Sequence, residues 1–99
     1  MSNLLLNLVI QSRNETTYQA QIIVNNITKS QITYDIEYSY MGAVITNYNN
    51  CKLNKEGFKY IFKSIAPLEV GKKHIINFYG IGLSPHIKNF TISTKKLVK

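Results

Sequence analysis

Apolar and polar residues alternate without interruption between positions 31 and 39. The apolar members of this pattern are Ile32, Tyr34, Ile36 and Tyr38, and the polar members are Thr33, Asp35, Glu37 and Ser39. Side chains of a β-strand point alternately to its two faces, so the pattern predicts a strand with one buried and one solvent-facing side. A helix would place charged residues within its apolar face. Tyr34 and Tyr38 are therefore predicted to lie in the core.

Neighbouring segments show similar alternation. In Thr17–Asn25, four apolar residues share one face: Tyr18, Ala20, Ile22 and Val24. The polar stretch 25–30 would join this strand to the next, either as a hairpin or as a connection between two sheets. Further strands are predicted at 4–11, 43–48, 58–63, 74–80 and 86–94. This spacing is typical of an all-β protein, here an antiparallel, immunoglobulin-like β-sandwich of about seven to eight strands.

The 99 residues are predicted to form a single domain, with a core at about 4–94 and a basic tail at 95–99. The longest loop is predicted at 47–57, where Asn and Lys are frequent. This loop contains Cys51, the one cysteine of the chain, which rules out an internal disulfide and a cysteine-based metal site. We expect Cys51 to be a surface thiol that is available for an intermolecular disulfide in an oxidising setting.

The net charge of +7 comes from the second half of the chain, where ten lysines stand against Glu56 and Glu69. Such a field favours anionic partners, but lysines spread over strands more often serve solubility and protect sheet edges. Nucleic acid is therefore disfavoured as a partner. No secretory signal is visible at the start of the chain, and no run reaches the about 20 apolar residues that cross a membrane. The cellular location stays open on these grounds.

Groups that could perform catalysis or bind metal are dispersed. Asp35 and Glu37 would project from one strand face about 7 Å apart, but acid/base catalysis also requires a walled pocket that shifts one pKa. A solvent-exposed face with lysine neighbours explains these carboxylates better. His74 and His86 have no acidic or cysteine partners nearby in sequence, and five scattered acidic residues do not suit calcium. We therefore predict no enzyme, no catalytic residue, no metal and no cofactor.

Several short motifs follow one another in an informative order. They are 18–26 (YQAQIIVNN), 29–32 (KSQI), 40–42 (YMG), 60–62 (YIF), 68–72 (LEVGK) followed by Phe78 and Tyr79, and the strand 85–92. Through these motifs, residues 5–94 resemble the small cellulose-binding modules of the bacterial family 2 type and, more closely, the eukaryotic family 49 type. The resemblance implies a non-catalytic carbohydrate-binding module for a β-glucan such as cellulose. It also implies an extracellular or cell-surface setting.

The resemblance further implies binding through exposed aromatic rings, which in these modules are usually tryptophans. This chain has no Trp, and Ile45 stands where one is usual, so tyrosine is the predicted substitute. Rings for stacking and amides for sugar hydroxyls are both present in the predicted carbohydrate-binding set, which is Tyr40, Tyr48, Asn47, Asn49 and Asn50. Alternatively, Tyr40 would end a core strand and Tyr48 would anchor a loop. Tyr79 is compatible with either face of its strand.

Three other functions remain open. An immunoglobulin-like interaction or adhesion domain would bind a protein partner, or form a homo-oligomer, through an edge strand or an apolar face. An enzyme ranks below this because no catalytic arrangement is visible. A basic sandwich that contacts nucleic acid or anionic glycans ranks last.

Overall fold

A computed structural model describes residues 6–39, 44–82 and 85–97. The described residues form eight strands and one short 3-10 turn. The strands are β1 (Leu6–Arg13), β2 (Thr17–Asn25), β3 (Ile32–Ser39), β4 (Val44–Tyr48), β5 (Lys52–Glu56), β6 (Lys59–Lys63), β7 (Lys73–Ile81) and β8 (Phe90–Lys96), and the 3-10 turn spans Ile87–Asn89. Nowhere in these ranges is there a helix long and apolar enough to cross a membrane. The all-β prediction is confirmed.

Two four-stranded antiparallel sheets pack face to face. Sheet A has the strand order β1-β2-β7-β4, and sheet B has the order β5-β6-β3-β8. This arrangement confirms the predicted β-sandwich. The chain passes from sheet A to sheet B after β2, so the polar stretch at 25–30 is a connection between sheets and not a hairpin. Later strands also alternate between the sheets, because β3 and β4, β4 and β5, β6 and β7, and β7 and β8 each belong to different sheets.

Aromatic rings from both sheets fill the core between them. Phe78 of β7 lies with its ring centroid 5.3 Å from that of Phe62 in the opposite sheet. Within sheet B, Tyr38 stacks on Phe90 at 4.5 Å with nearly parallel ring planes. Aromatic pairs of this kind contribute about 0.5–1.5 kcal/mol beyond the area that they bury. Tyr34 and Tyr38 are 2% and 0% exposed, which confirms their predicted place in the core.

The buried side chain of Asn26 links two of the connections between sheets. Its Nδ2 donates to the backbone carbonyls of Ser30 (2.8 Å) and Leu68 (2.9 Å), and its Oδ1 accepts from the backbone N of Thr28 (2.9 Å). The backbone carbonyl of Asn26 accepts from Gly71 N at 3.0 Å. Because the polar atoms of this side chain have partners, its burial costs little. Asn26 thereby ties the β2–β3 connection to the β6–β7 connection.

The predicted loop at 47–57 is wrong in part. Tyr48 still belongs to β4, and β5 occupies Lys52–Glu56. Leu53 is the one apolar residue of β5, which is an edge strand with one face and one edge open to solvent. The composition of β5 therefore resembles that of a loop, although its backbone pairs with β6 along its whole length.

The turn between β5 and β6 exposes an aromatic ring. The alternation in the predicted strand 58–63 places Phe58 on the same face as Tyr60 and Phe62. The latter two are buried, but Phe58 is 77% exposed. Gly57, with a φ of 63°, and Phe58 form the turn before β6 begins, so the strand alternation does not yet apply to Phe58.

The predicted last strand, 86–94, begins and ends later in the structure. Ile87–Asn89 forms a 3-10 turn, which is closed where the backbone N of His86 donates to Asn89 Oδ1 at 3.1 Å. β8 then runs from Phe90 to Lys96. Lys95 and Lys96 are strand residues rather than part of the predicted tail, because both pair with the first residues of β3.

We expect the substitution Asn26→Asp to lower the free energy of unfolding by at least about 3 kcal/mol. A carboxylate oxygen would replace the Nδ2 donor and face the carbonyls of Ser30 and Leu68 in a buried site. Urea unfolding followed by circular dichroism measures the change. Asn7→Asp is the matched control, because Asn7 is exposed and its Oδ1 accepts from Leu8 N, as a carboxylate also does. Equal losses in the two variants would contradict the role of Asn26.

Candidate functional site

The outward-facing side of sheet A carries amides in place of charges. At the outward positions of its described strands, Lys73 at one corner is the single charged residue. Carboxamides and one phenol occupy the middle of this surface. We define the amide face by six residues: Gln19, Gln21, Asn47, Asn49, Asn77 and Tyr79. This face is neutral in a chain whose net charge is +7.

The outward-facing side of sheet B has the opposite character. Lys59 Nζ lies 3.2 Å from Glu37 Oε1, and Lys63 Nζ lies 3.5 Å from Asp35 Oδ2. Exposed ion pairs of this kind contribute between about 0 and 1 kcal/mol each. Asp35 and Glu37 thus lie on a solvent-exposed face with lysine neighbours, as predicted. The two outer surfaces of the sandwich therefore offer different chemistry to a partner.

Hydrogen bonds between side chains hold the amides in place. Gln21 Nε2 donates to Asn77 Oδ1 (3.0 Å), and Asn77 Nδ2 donates to Asn49 Oδ1 (3.3 Å). One row of amides thereby crosses β2, β7 and the residue that follows β4. In the neighbouring row, Gln19 Nε2 donates to Gln11 Oε1 (2.9 Å). Because these side chains are already ordered, a ligand that contacts them loses less affinity to side-chain entropy.

Tyr79 lies between these amides on the outer side of β7. It pairs with Gln19 on one side and with Asn47 on the other, and it is 40% exposed. A shallow depression of about 310 Å³ lies beside Tyr79, and Thr17, Gln19 and Thr46 also line it. The phenol ring offers an apolar plane for stacking, and the surrounding amides and hydroxyls offer hydrogen-bond donors and acceptors.

The structure separates the site residues that the sequence predicted. Asn47 and Asn49 lie on the amide face. Tyr48 is 43% exposed, but it pairs with the core residue Phe78, so its side chain projects from β4 toward the side of sheet B. Tyr40 lies outside the described residues. The structure therefore brings Asn47 and Asn49 together with Tyr79 and not with Tyr48.

Asn50, the fifth predicted residue, has a structural contact. Its φ is 63°, and its Nδ2 donates to the backbone carbonyl of Ile75 at 2.9 Å. Asn tolerates this left-handed backbone conformation better than most residues do. Asn50 thereby turns the chain away from β7 and toward β5.

Four members of the amide face were not predicted as site residues. They are Gln19, Gln21, Asn77 and Tyr79. Strand alternation places the first two on the face of β2 opposite its apolar residues, where charged side chains are common in basic proteins. A run of amides at such positions was the available signal. It could not be used without knowing that β2 and β7 are neighbours, which the pairing of the two strands establishes.

Cys51 is buried and only 9% exposed, so the predicted surface thiol is wrong. The chain crosses to sheet B immediately after Asn50 and carries Cys51 into the core. Burial raises the pKa of the thiol to about 11. Burial and, to a lesser extent, the nearby Cys51 raise the pKa of Tyr34 to about 12, and the Tyr34 hydroxyl lies 3.0 Å from His74 Nδ1. Both groups are protonated at neutral pH, so no nucleophile arises here.

Metal ligands are likewise dispersed in the described ranges. Within 6–39, 44–82 and 85–97, no three His, Cys, Asp or Glu side chains are grouped closely enough to hold a metal ion.

Comparison with known proteins identifies structural neighbours. No family model matches the sequence, and no curated protein matches it. Among solved structures, the chitin-binding domain of Chi18aC from Streptomyces coelicolor matches with a TM-score of 0.75 at 20% identity, over 88% of this chain and 87% of that domain. The chitin-binding domain of a Pyrococcus furiosus chitinase matches with a TM-score of 0.66 at 11% identity, over 95% of this chain and 91% of that domain.

A further match is to part of a longer enzyme. Chitinase ChiA74 from Bacillus thuringiensis matches with a TM-score of 0.73 at 20% identity, over 89% of this chain but only 15% of that one. Together these neighbours show that the chain has the fold of a carbohydrate-binding module. They do not support the finer assignment to the cellulose-binding families 2 and 49.

We expect the free energy of unfolding to fall as the pH rises from about 9 to about 12. An unfolded chain loses the Cys51 proton near pH 9.0 and the Tyr34 proton near pH 10.0, whereas the folded chain retains them to about 11 and about 12. The folded state therefore binds more protons in this range, and deprotonation favours unfolding. Urea unfolding at a series of pH values measures the decline.

The variant Cys51→Ala separates the two contributions to this decline. It should lose less stability than the wild type between pH 9 and 11, because its thiol proton is absent from both states. Native wild-type protein should also react slowly with a thiol reagent at neutral pH and rapidly after unfolding. Parallel pH profiles for the two proteins, or fast labelling of the native state, would contradict the assignment.

Proposed function

We propose that this domain is a non-catalytic module that binds an insoluble, neutral, β-linked polysaccharide through the amide face, with chitin as the ligand. The observation that carries the proposal is the neutrality of this face. A protein with a net charge of +7 keeps one whole side of its sandwich almost free of charge and places hydrogen-bonded amides around Tyr79 in the middle of that side. Such a surface suits a partner that is rich in hydroxyl and amide groups and carries no charge.

The chemistry of chitin complements this surface. Each of its sugar units carries an acetamido group, whose N–H and C=O match the acceptor and donor of a carboxamide such as those of Gln19 and Asn47. The C–H face of a sugar ring can stack on the exposed ring of Tyr79. The outer side of a sheet has no deep walls, and this openness fits a long polymer better than a small soluble ligand. Structural neighbours that are named as chitin-binding domains add support.

Two expectations from the sequence, a β-glucan ligand and a contact through Tyr48, have smaller roles in this proposal. A β-glucan such as cellulose presents the same ring faces and hydroxyls as chitin but lacks the acetamido groups, so we expect it to bind more weakly. Tyr48 is 43% exposed at the free edge of β4. It would touch only a polymer wide enough to extend beyond the amide face at that edge, so we expect it to contribute less than Tyr79.

We expect Tyr79→Ala to weaken binding to microcrystalline chitin about ten-fold, because it removes the stacking plane, worth about 1.4 kcal/mol. Depletion of the protein from solution by increasing amounts of chitin measures the affinity. Binding by the wild type should persist at high salt, since stacking and neutral hydrogen bonds are little screened. Tyr48→Ala should have a smaller effect than Tyr79→Ala.

Phe58→Ala provides the matched control for loss of an aromatic ring. Phe58 is 77% exposed but lies in the β5–β6 turn, away from sheet A, so its removal should leave chitin binding unchanged. Binding that disappears at high salt would show that lysines, and not the amide face, hold the polymer. Equal binding by wild type and Tyr79→Ala would also refute the proposal.

A further inference from the structure

A second recess lies where β4 leaves sheet A. β4 pairs with β7 as far as Tyr48 and Phe78, and Asn50 then turns the chain toward sheet B. The first residues of β7 therefore lack β4 as a neighbour. The recess beside them has a volume of about 370 Å³. Its lining consists of Asn50, Ile65, Ala66, Lys73, His74 and Ile75.

The lining combines apolar walls with positive and polar groups on one side. Ile65, which is 56% exposed, forms part of the wall contributed by the β6–β7 connection. On the β7 side, Lys73 supplies an ammonium group and His74 an imidazole. His74 Nδ1 lies 3.0 Å from the Tyr34 hydroxyl, so this nitrogen is already occupied by a contact within the core. A ligand in the recess would meet the remaining part of the imidazole ring and the lysine.

The end of the domain that contains this recess is strongly positive. From the strand pairing and the positions of the connections, the described charged residues at this end are seven lysines and two carboxylates, an excess of five positive charges. They are Lys29, Lys52, Lys63, Lys72, Lys73, Lys95 and Lys96 against Asp35 and Glu69. The charged residues described at the other end are Arg13, Lys55, Lys59 and Lys88 against Glu15, Glu37 and Glu56, an excess of one. The field at the recess therefore attracts anions.

We propose that this recess binds a hexuronate, which is a sugar ring that bears one carboxylate. Its volume lies near the lower end of the range for small-ligand sites, about 300–1,000 Å³, and suits one sugar ring. Lys73 would pair with the carboxylate, Asn50 would contact hydroxyls, and Ile65 and Ile75 would cover the C–H face of the ring. The apolar walls argue against inorganic phosphate, which has no apolar face to cover. This site is independent of the amide face. Its ligand must carry a negative charge, whereas the ligand proposed for the amide face is neutral.

A titration of isotopically labelled protein with galacturonate, followed by nuclear magnetic resonance, tests the proposal. Saturable shifts should appear at Ile65, His74 and Ile75. Lys73→Gln should weaken this binding at least about ten-fold, since it removes the charge that faces the carboxylate. Lys72→Gln is the matched control, because it removes an equal charge from the adjacent exposed residue, which does not line the recess. It should change the affinity less than two-fold, because diffuse surface charges are screened at moderate salt.

Three results would overturn the proposal. They are an absence of saturable shifts with galacturonate, equal shifts with neutral galactose, and equal weakening by Lys72→Gln and Lys73→Gln. Co-sedimentation with polygalacturonate shows whether the carboxylated ring is recognised within a polymer or only as the free sugar. Tyr79→Ala should bind galacturonate like the wild type, so failure of this site and failure of the amide face can be told apart.

Discussion

The pairing of β2 with β7 is the interaction on which the rest of the structure depends. These two central strands of sheet A align over nine residue pairs. On the inner side, the alignment places Ile22 beside Ile76 and Ala20 beside Phe78, which fill the core against sheet B. On the outer side, the same alignment places Gln21 beside Asn77 and Gln19 beside Tyr79. Because strand side chains alternate between faces, a shift of one residue would exchange the two sets and remove both the core and the amide face.

The two sheets then divide the chemistry of the surface between them. Sheet B carries ion-paired side chains such as Lys59 and Glu37 on its outer face, and these keep that side solvated. Sheet A has amides that bond to one another, as in the contact of Gln21 with Asn77. The excess positive charge collects at the end where β4 and β7 separate. A neutral polymer and an anionic sugar would consequently meet different parts of one small domain, each selected by charge.

The fold was largely predictable, because burial of one strand face leaves a period of two in the sequence. Strands β2, β3, β6 and β7 were located to within two residues in this way. β5 was missed because an edge strand needs only one inward apolar residue, here Leu53, and its pattern is then too weak to separate from a loop. Cys51 was misplaced for a different reason: its burial follows from the crossing between sheets, which no local pattern marks. Of the predicted site residues, Asn47 and Asn49 lie on the amide face, whereas Tyr48 projects from the other side of β4.

The amino-acid sequence by itself determined that this chain forms two packed β layers with tyrosines in the core, since alternation of apolar and polar residues is a local property that needs no knowledge of partners. Only the tertiary structure decided that Tyr79 faces solvent among amides and that Cys51 does not. Both outcomes depend on which strands are neighbours and on where the chain changes sheets. The strand neighbours are defined by contacts between residues far apart in sequence, such as Gln21 and Asn77. No local pattern in the sequence encodes such contacts.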